Sequence, residues 1–447
     1  MDNKLSNLYF FEYEGAYFLY DIESNKEYVI SKYLFDLANS SDNDVLMKTL
    51  REFKLNKVNN DRMFRYKLRL ENFLSDFKIS ISTIYLYLTE LCNLKCKYCY
   101  VKPKNKHMNI DLLKSNFNKL LNYFDRRIQN YRFFGGEPLL KYNMINELVS
   151  FIENQKDSNC KVEYYISTNG TLLNRKEVVD LIKSRNINLK ITLDGNKETH
   201  NNNRKFIDNN GSYDIVINNI LLLLDNNFTN FTVTITLNNE NLELYEYVHY
   251  LLKIGVKNIR WQFVVDESLL IKEQHIDKIK SELNKIAKRY LVDLQNKNLY
   301  NISNFTSVYP HFLSKDPQIF RCGAGISSIA IDSDCNFLLC QRFVNNKEGI
   351  IGNISNGLNI DKIKNIMENT NLSYLYKCKN CWIRYFCAGQ CYYNNLKLNN
   401  NINIPYQPFC EIIKEYFKIG IWLLYNIKNI KDKQYVKRAL ELKNFVH

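Results

Sequence analysis

The chain has 447 residues, a length that predicts two to four domains of about 100–200 residues each. Hydrophobic residues make up 45% of it and charged residues 24%, which is typical of a globular protein and excludes wholesale disorder. The N-terminus lacks the apolar run of a secretory signal, and no apolar stretch approaches the ~20 residues that cross a bilayer. These features predict a cytoplasmic protein without a membrane partner.

The net charge of +14 arises from 61 Lys and Arg residues against 47 Asp and Glu residues. The lysines are spread along the chain among many Asn and Ile residues, whereas a nucleic-acid site is a basic patch interleaved with aromatic residues. We therefore expect no nucleic-acid partner, although the diffuse charge is compatible with an acidic peptide.

Residues 1–78 are predicted to form a small module of three strands followed by three helices. The strands are expected at 8–13, 16–21 and 27–30, and the helices at 31–38, 44–53 and 62–77. This order and size are those of a winged-helix-like unit.

Residues 79–304 alternate between strands and helices and predict an α/β fold, a partial (β/α)6 TIM-like barrel with right-handed crossovers. The strands are expected at 83–88, 131–134, 162–166, 188–193, 231–237 and 258–264. The helices are expected at 111–127, 142–154, 175–184, 213–225, 242–254 and 272–294. Ligands of such a barrel bind at the carboxyl ends of its strands.

Residues 305–447 have weaker periodicity and hold eight of the twelve cysteines, so we expect metal centres to stabilise this segment. Helices are predicted after Cys410 and at 431–445. Without a secretory signal, this many cysteines indicates metal or redox chemistry rather than disulfides. Only six histidines occur, none at a His-x-x-x-His spacing, which favours iron–sulfur centres over a zinc hydrolase.

Cys92, Cys96 and Cys99 directly follow the first barrel strand. Their spacing allows three thiolates from one loop to bind an iron–sulfur cubane and leaves one iron without a protein ligand. The alternative is a zinc loop, which is less favoured because structural zinc sites have four protein ligands.

This loop resembles the C-x3-C-x2-C motif of the radical S-adenosylmethionine (SAM) enzymes, including the aromatic residue before the last cysteine, here Tyr98. The resemblance implies that the open iron binds SAM and that reductive cleavage of SAM gives a 5′-deoxyadenosyl radical. In such enzymes the cofactor performs the difficult chemistry, and the protein orients it and excludes water.

Later strand ends match further motifs of that family. The sequence Gly135-Gly136-Glu137-Pro138 resembles its GGEP motif, whose glycines are expected to admit a close ligand and whose acid is expected to accept hydrogen bonds from an ammonium group. The resemblance assigns SAM contacts to Tyr98, Gly135, Gly136, Glu137, Ser167, Asn169, Asp194 and Arg204. Of these, Arg204 is expected to pair with the SAM carboxylate, whereas the nearby His200 is expected to have a structural role.

The C-terminal cysteines resemble the SPASM extension of this family, which carries two auxiliary [4Fe–4S] clusters, so three clusters are implied in all. The resemblance assigns the first auxiliary cluster to Cys322, Cys340 and Cys391, and the second to Cys378, Cys381, Cys387 and Cys410. Cys335 stands where the family usually has Gly. Two interpretations of Cys335 remain open, a fourth ligand of the first auxiliary cluster and a spare thiol beside a turn.

Enzymes with this extension mostly modify peptides, and residues 1–78 resemble, in predicted architecture alone, the leader-binding element of peptide maturases. The resemblance implies an oxidoreductase that abstracts hydrogen from a ribosomally made precursor peptide and forms a thioether or C–C crosslink, with an external one-electron reductant. The alternative for residues 1–78 is a module that only packs on the barrel. The sequence identifies no catalytic acid or base.

Two other functions are alternatives for this sequence. An anaerobic sulfatase-maturing enzyme, which produces formylglycine, has an Asp base directly after the cysteine matched by Cys340, but Gln341 stands there in this chain. A non-catalytic iron–sulfur scaffold that binds peptides would leave the SAM-contact motifs without a use.

Overall fold

The computed structural model describes residues 7–40, 43–52, 61–124, 128–156, 160–314 and 316–441. The chain divides into two compact units. The terminal unit comprises the described parts of 1–77, 284–321 and 367–447, and the barrel unit comprises those of 78–283 and 322–366. The predicted helix ends at 53, 125–127 and 442–445 lie outside the described residues.

The terminal unit begins with an antiparallel sheet of β1 (Leu8–Tyr13), β2 (Ala16–Asp21) and β3 (Lys26–Ile30) in that order. The β1–β2 turn needs two residues with positive φ, and Glu14 and Gly15 have φ of 51° and 72°, a geometry that suits the twist of a tight hairpin. The sheet is followed by α1 (Lys32–Asn39), α2 (Asn43–Glu52) and α3 (Asp61–Ser75). Leucines of β2, α1 and α2 form its small core.

The barrel unit contains six parallel strands that alternate with helices, which confirms the predicted partial barrel. The strands are β4 (Thr83–Thr89), β5 (Asn130–Gly135), β6 (Glu163–Thr168), β7 (Asn188–Thr192), β8 (Phe231–Leu237) and β9 (Asn258–Phe263). The helices are α4 (Ile110–Ser115), α5 (Phe117–Tyr123), α6 (Tyr142–Gln155), α7 (Lys176–Ser184), α8 (Lys197–Asn203), α9 (Tyr213–Asp225) and α10 (Leu244–Lys253). Helix α11 (Ile276–Gln295) begins in the barrel unit, and its residues from 284 onward belong to the terminal unit.

The helix predicted at 111–127 is instead the pair α4 and α5, separated at Asn116. The Asn116 side chain donates a hydrogen bond to the Leu112 carbonyl at 3.0 Å. Asparagine favours such local bonds over continued helix, and the hydrophobic period alone does not reveal them.

The strand faces explain why the barrel has a polar interior. Residues such as Tyr131, Phe133 and Leu189 are buried in the apolar core, as the alternation of strands requires. The opposite faces of β6 and β7 carry Ser167 and Lys190, which line a cavity. The barrel therefore has one apolar face and one face suited to a polar ligand.

The rest of the barrel unit is a short parallel strand and a set of hairpins that were not predicted. They are β11 (Ser328–Ile331), β12 (Asn336–Leu338), β13 (Ile350–Asn353) and β14 (Gly357–Leu358). Strand β11 pairs in parallel with β4, and the strand order of this unit is β9-β8-β7-β6-β5-β4-β11-β12-β13-β14. Residues 322–366 thus extend the barrel sheet.

The remaining elements complete the chain. They are β10 (Asn301–Ile302), α12 (Ser303–Thr306), α13 (Tyr309–Leu313), α14 (Ile360–Asn369), α15 (Arg384–Cys387), α16 (Tyr392–Asn399), α17 (Gln407–Lys428) and α18 (Lys433–Glu441). Among the helices of the described residues, none is long and apolar enough to span a membrane.

Candidate functional site

A cavity with about 1110 Å³ of empty space, partly open to solvent, lies at the carboxyl ends of the barrel strands. Its lining includes nine of the eleven residues that the sequence assigned to the cysteine loop and to SAM. These are Cys92, Cys96, Tyr98, Cys99, Gly135, Gly136, Ser167, Asn169 and Arg204. The structure therefore brings together residues that are more than one hundred positions apart in the sequence.

The cysteine loop is fixed by backbone hydrogen bonds to the segment that carries Arg204. The amides of Lys95 and Lys97 donate to the carbonyls of Lys205 and Asn203 at 2.8 and 3.0 Å. These bonds set the position of the loop relative to the Arg204 guanidinium.

The protein backbone itself requires the two glycines at the end of β5. A Cβ atom at Gly135 would lie 2.1 Å from the Thr89 carbonyl oxygen, and one at Gly136 would lie 2.3 Å from that of Leu91. The Gly136 amide also donates to the Thr89 carbonyl at 2.8 Å. Both glycines also line the cavity, so the expected close approach of a ligand stays a prediction.

Glu137 is fully buried and does not line the cavity, in contrast to the expected contact with an ammonium group. Its carboxylate accepts hydrogen bonds from Thr168 Oγ1 at 2.8 Å and from the amides of Asn169 and Leu139 at 2.7 and 3.0 Å. Burial raises the pKa of Glu137 to about 7, although these hydrogen bonds oppose the shift. The side chain therefore holds the turn after β6.

Asn169 connects that turn to the cysteine loop. Its Nδ2 donates to Asn93 Oδ1 at 2.8 Å and lies 3.8 Å from Cys92 Sγ. Asn93 Nδ2 in turn donates to Thr171 Oγ1 at 2.8 Å. Asn93 and Thr171 were not among the predicted site residues. The sequence indicates a role for them only through their position, Asn93 inside the cysteine loop and Thr171 at the end of the Ser-Thr-Asn-Gly-Thr stretch.

Tyr98 connects a buried acid to a cavity arginine. Its hydroxyl donates to the Asp194 carboxylate and accepts from Arg204 Nη1 at 2.8 Å. Asp194 also accepts from the Thr236 amide at 2.9 Å and, like Glu137, is buried outside the cavity lining. Asp194 therefore positions Tyr98, which orients the guanidinium.

His200 has the structural role expected of it. Its Nδ1 accepts from the Asp194 amide at 3.1 Å, and its Nε2 lies 2.9 Å from Ser212 Oγ, which donates to the Arg204 carbonyl at 2.6 Å. Burial lowers the pKa of His200 well below its ordinary value, so the ring is neutral. His200 thus fixes the backbone at both Asp194 and Arg204.

Four of the C-terminal cysteines occur together in the terminal unit, namely Cys378, Cys381, Cys387 and Cys410. Burial raises the pKa of Cys378 to about 12, and the other three sulfurs add to the shift because they lie nearby. Gln390 Nε2 donates to Cys410 Sγ at 2.8 Å. Across the described residues, no three metal-ligating side chains lie close enough to share a single ion.

The other assigned cysteines are divided between the units. Cys322 is exposed and Cys340 half-buried in the barrel unit, and Cys391 belongs to the terminal unit. Next to Cys340, Gln341 and Arg342 line the cavity, and the Gln341 carbonyl accepts a hydrogen bond from Tyr87.

Cys335 occupies the β11–β12 turn, with φ of 59°, which explains why glycine suits this position. It is buried, its thiol donates to the Asn109 carbonyl at 3.7 Å, and burial raises its pKa to about 11. Five residues of extended chain, about 16 Å at ~3.3 Å per residue, separate it from Cys340. The buried thiol bonded to Asn109 favours the spare-thiol interpretation, and the assignment of Cys335 as a metal ligand stays a prediction.

The fold and the cysteine loop define an α/β enzyme of the radical SAM class. Residues 86–251 match the radical SAM superfamily. The chain is also 32% identical over 263 residues to an uncharacterised protein of Methanocaldococcus jannaschii, covering 56% of this chain and 88% of that protein. The chain therefore belongs to the radical SAM superfamily.

Other relatives and solved structures extend the likeness beyond the barrel. A cysteine-type anaerobic sulfatase-maturating enzyme of Clostridium novyi is 26% identical, over 81% of this chain and 98% of that protein. The structure of anSMEcpe with bound AdoMet and a peptide has a TM-score of 0.65 at 20% identity, covering 78% and 99% of the two chains. Streptococcus suis SuiB bound to its precursor peptide SuiA has a TM-score of 0.50 at 15% identity, covering 90% and 97%.

The superfamily implies a [4Fe–4S] cluster and SAM, and the residues present fit both. Three cysteine sulfurs on one loop are a suitable donor set for a cluster with one open iron. Arg204 lines the cavity, yet its Nε is buried without a hydrogen-bond partner among the described residues. Such a group needs an acceptor, and the SAM carboxylate is one that suits a guanidinium.

Proposed function

We propose that this chain is a radical SAM peptide maturase that abstracts hydrogen from a ribosomally made precursor peptide and forms a thioether or C–C crosslink. The observation that carries the proposal is the cavity that unites the cysteine loop with Arg204 and with Gln341. When bound, the cluster and SAM supply a 5′-deoxyadenosyl radical, the species that abstracts the hydrogen.

The chain's own residues have distinct tasks in this proposal. Cys92, Cys96 and Cys99 bind the cluster, and Arg204 binds the SAM carboxylate with the guanidinium fixed by Tyr98. Ser167, Asn169 and the backbone of Gly135 and Gly136 complete the SAM site. Glu137 and Asp194 act from behind the cavity wall, because their hydrogen bonds hold the residues that line it.

The proposal includes two auxiliary [4Fe–4S] clusters and an external one-electron reductant. The terminal-unit set of four cysteines would hold one cluster, and Cys322, Cys340 and Cys391 the other. Closing a crosslink removes two hydrogen atoms from the peptide, so one electron and one proton must leave after the abstraction. The auxiliary cysteines supply a place for the electron.

The peptide substrate is supported by the relatives, since both anSMEcpe and SuiB have been solved with peptides. We propose that residues 1–78 bind the leader at the edge of β3. Among the described strands, β3 pairs only with β2, and Val29 on it is 46% exposed. A peptide strand that adds to this edge would gain main-chain hydrogen bonds.

The test is anaerobic coexpression with a short, Cys-containing reading frame from beside the gene, followed by tandem mass spectrometry. We expect loss of two hydrogens from the peptide and blocked fragmentation between two residues. Cys96→Ala should abolish both this change and deoxyadenosine formation while leaving auxiliary-cluster iron in place. Unchanged SAM cleavage in Cys96→Ala would refute the assignment of the cysteine loop.

Sulfatase maturation is the second candidate, favoured by the near-complete coverage of the Clostridium novyi enzyme. Gln341 in the cavity opposes it, since an amide cannot deprotonate a thiol or hydroxyl. A hydrazine probe separates the two functions, because formylglycine is an aldehyde and a crosslinked product is not. Hydrazone formation on the modified peptide would establish sulfatase-type chemistry and exclude the crosslink.

A further inference from the structure

The cavity has an unbalanced charge. Among the described residues that line it are three cations, Lys190, Arg204 and Arg342, and no Asp or Glu. Arg204 is directed to the SAM carboxylate in the proposed function. Lys190 is therefore the lining cation whose charge a different anionic group would balance.

Lys190 is the cation without a partner. Its ammonium group makes no hydrogen bond or ion pair with any described residue, although the side chain lies inside the barrel cavity. The charged groups that act on it are Arg260, Arg342 and Arg132, all of them cations, and together with burial they lower its pKa well below the ordinary value. An anion bound there would remove this repulsion.

Lys190 lies on the cavity side of β7, level with one of the proposed SAM contacts. It pairs in register with Ser167 on β6 and with Thr232 on β8, and it precedes Thr192 by two residues on β7. Those two residues correspond to about 6.6 Å of strand, measured from the carboxyl end toward the barrel interior. A peptide group that enters this cavity beside SAM would be within reach of the Lys190 side chain.

We propose that Lys190 binds a carboxylate group of the peptide substrate and so selects which residue is presented for hydrogen abstraction. The carboxylate comes from an Asp or Glu side chain or from the peptide C-terminus. This inference rests on the proposed function, since it requires a peptide inside the barrel. It makes Lys190 a specificity residue of the maturase.

The test uses reconstituted holoenzyme, SAM and three pools of precursor peptides, in which the intact leader is followed by eight random residues and the pools differ only in those eight residues and the C-terminus. One pool contains a single Glu and an amidated C-terminus, one contains no acid and a free C-terminus, and one contains Gln and an amidated C-terminus. Mass spectrometry measures the fraction of each pool that is modified. We expect one of the two carboxylate pools to exceed the neutral pool by about tenfold, and the better pool identifies the source of the carboxylate.

Variants at position 190 test whether the Lys190 side chain causes this preference. Lys190→Met should remove the preference between pools, Lys190→Arg should retain it, and Lys257→Met, which changes an exposed lysine before β9, should leave it intact. Iron content and melting temperature verify that each variant is folded. Equal modification of all three pools by the wild type would overturn the inference and leave the proposed function standing, whereas no modification of any pool would overturn both.

Discussion

At the scale of single residues, the site is organised by side chains behind the cavity wall as much as by those in it. Glu137 and Asp194 carry the sequence motifs, yet both are buried and act through Asn169 and Tyr98. A motif residue is thus a positioning residue when its acceptor atoms are already engaged by neighbouring donors. Arg204, with a free Nε, is the opposite case.

Gly136→Ala should displace the cysteine loop. The added methyl group would lie 2.3 Å from the Leu91 carbonyl, and a backbone carbonyl has no room to move away without shifting Cys92. We expect loss of the SAM-binding cluster and of deoxyadenosine formation, measured by iron content and product assay. Gly255→Ala is a stringent control, because nothing lies within 4 Å of the added atom although the positive φ of 101° adds backbone strain that Gly136 does not have. Equal iron loss in both variants would contradict the explanation.

Glu137 gives the protein a specific pH dependence. Its pKa is about 7 in the folded protein and about 4.5 in an unfolded chain, because burial opposes ionisation. As pH rises through this window the unfolded chain loses its proton first, so the free energy of unfolding should fall by about 3 kcal/mol at most. Melting temperatures of wild type and Glu137→Gln, compared from pH 4.5 to 8, should show this extra decline only in the wild type.

At the scale of elements, the first sheet and the C-terminal cysteine segment are parts of one packed unit. The Tyr9 ring of β1 stacks on Trp382 with centroids 4.2 Å apart. Glu23, just after β2, forms a buried ion pair with Arg384 of α15 at 2.8 Å and accepts from the Tyr385 hydroxyl at 3.0 Å. The segment that carries the cysteines is thus fixed by the N-terminal sheet.

Breaking the Glu23–Arg384 pair should destabilise the terminal unit. Glu23→Gln leaves a buried guanidinium without its counter-charge, a change that costs about 3–5 kcal/mol. Glu27→Gln is the control, because its pair with Lys428 is partly exposed, with 21% and 47% of the side chains accessible, and such pairs contribute about 0–1 kcal/mol. Denaturant unfolding measures the free energy of unfolding of both variants. Equal losses in the free energy of unfolding would show that burial does not decide how much an ion pair contributes to stability.

At the scale of the whole molecule, leader binding must be tested without deleting residues 1–77. Deletion would expose Trp382 and leave Arg384 without Glu23, so we expect the truncated chain to precipitate and to lose the iron of the proposed second auxiliary cluster. Val29→Asp instead places a charge on the β3 edge and should weaken binding of the precursor peptide at least about tenfold. Fluorescence anisotropy of a labelled precursor measures it, with uncoupled SAM cleavage as the folding control. Unchanged affinity would assign the module to packing alone.

Much of the barrel, with the cavity at the carboxyl ends of its strands, was predictable from the sequence. The hydrophobic period of each βα unit depends only on residues that are neighbours in the chain. The break between α4 and α5 was not predictable, since a single side-chain bond of Asn116 decides it. Strands β11 to β14 are two to four residues long and are stabilised by pairing with distant strands, so no local pattern marks them.

The sequence by itself determined the superfamily, the order of the barrel strands and the cysteines of the loop that lines the cavity, because these depend on spacing along the chain. Only the tertiary structure decided that Glu137 and Asp194 lie behind the cavity, that Cys335 fills a turn, and that Lys190 lacks a counter-charge. Burial and hydrogen-bond partners depend on residues far away in the sequence. They exist only once the strands have paired.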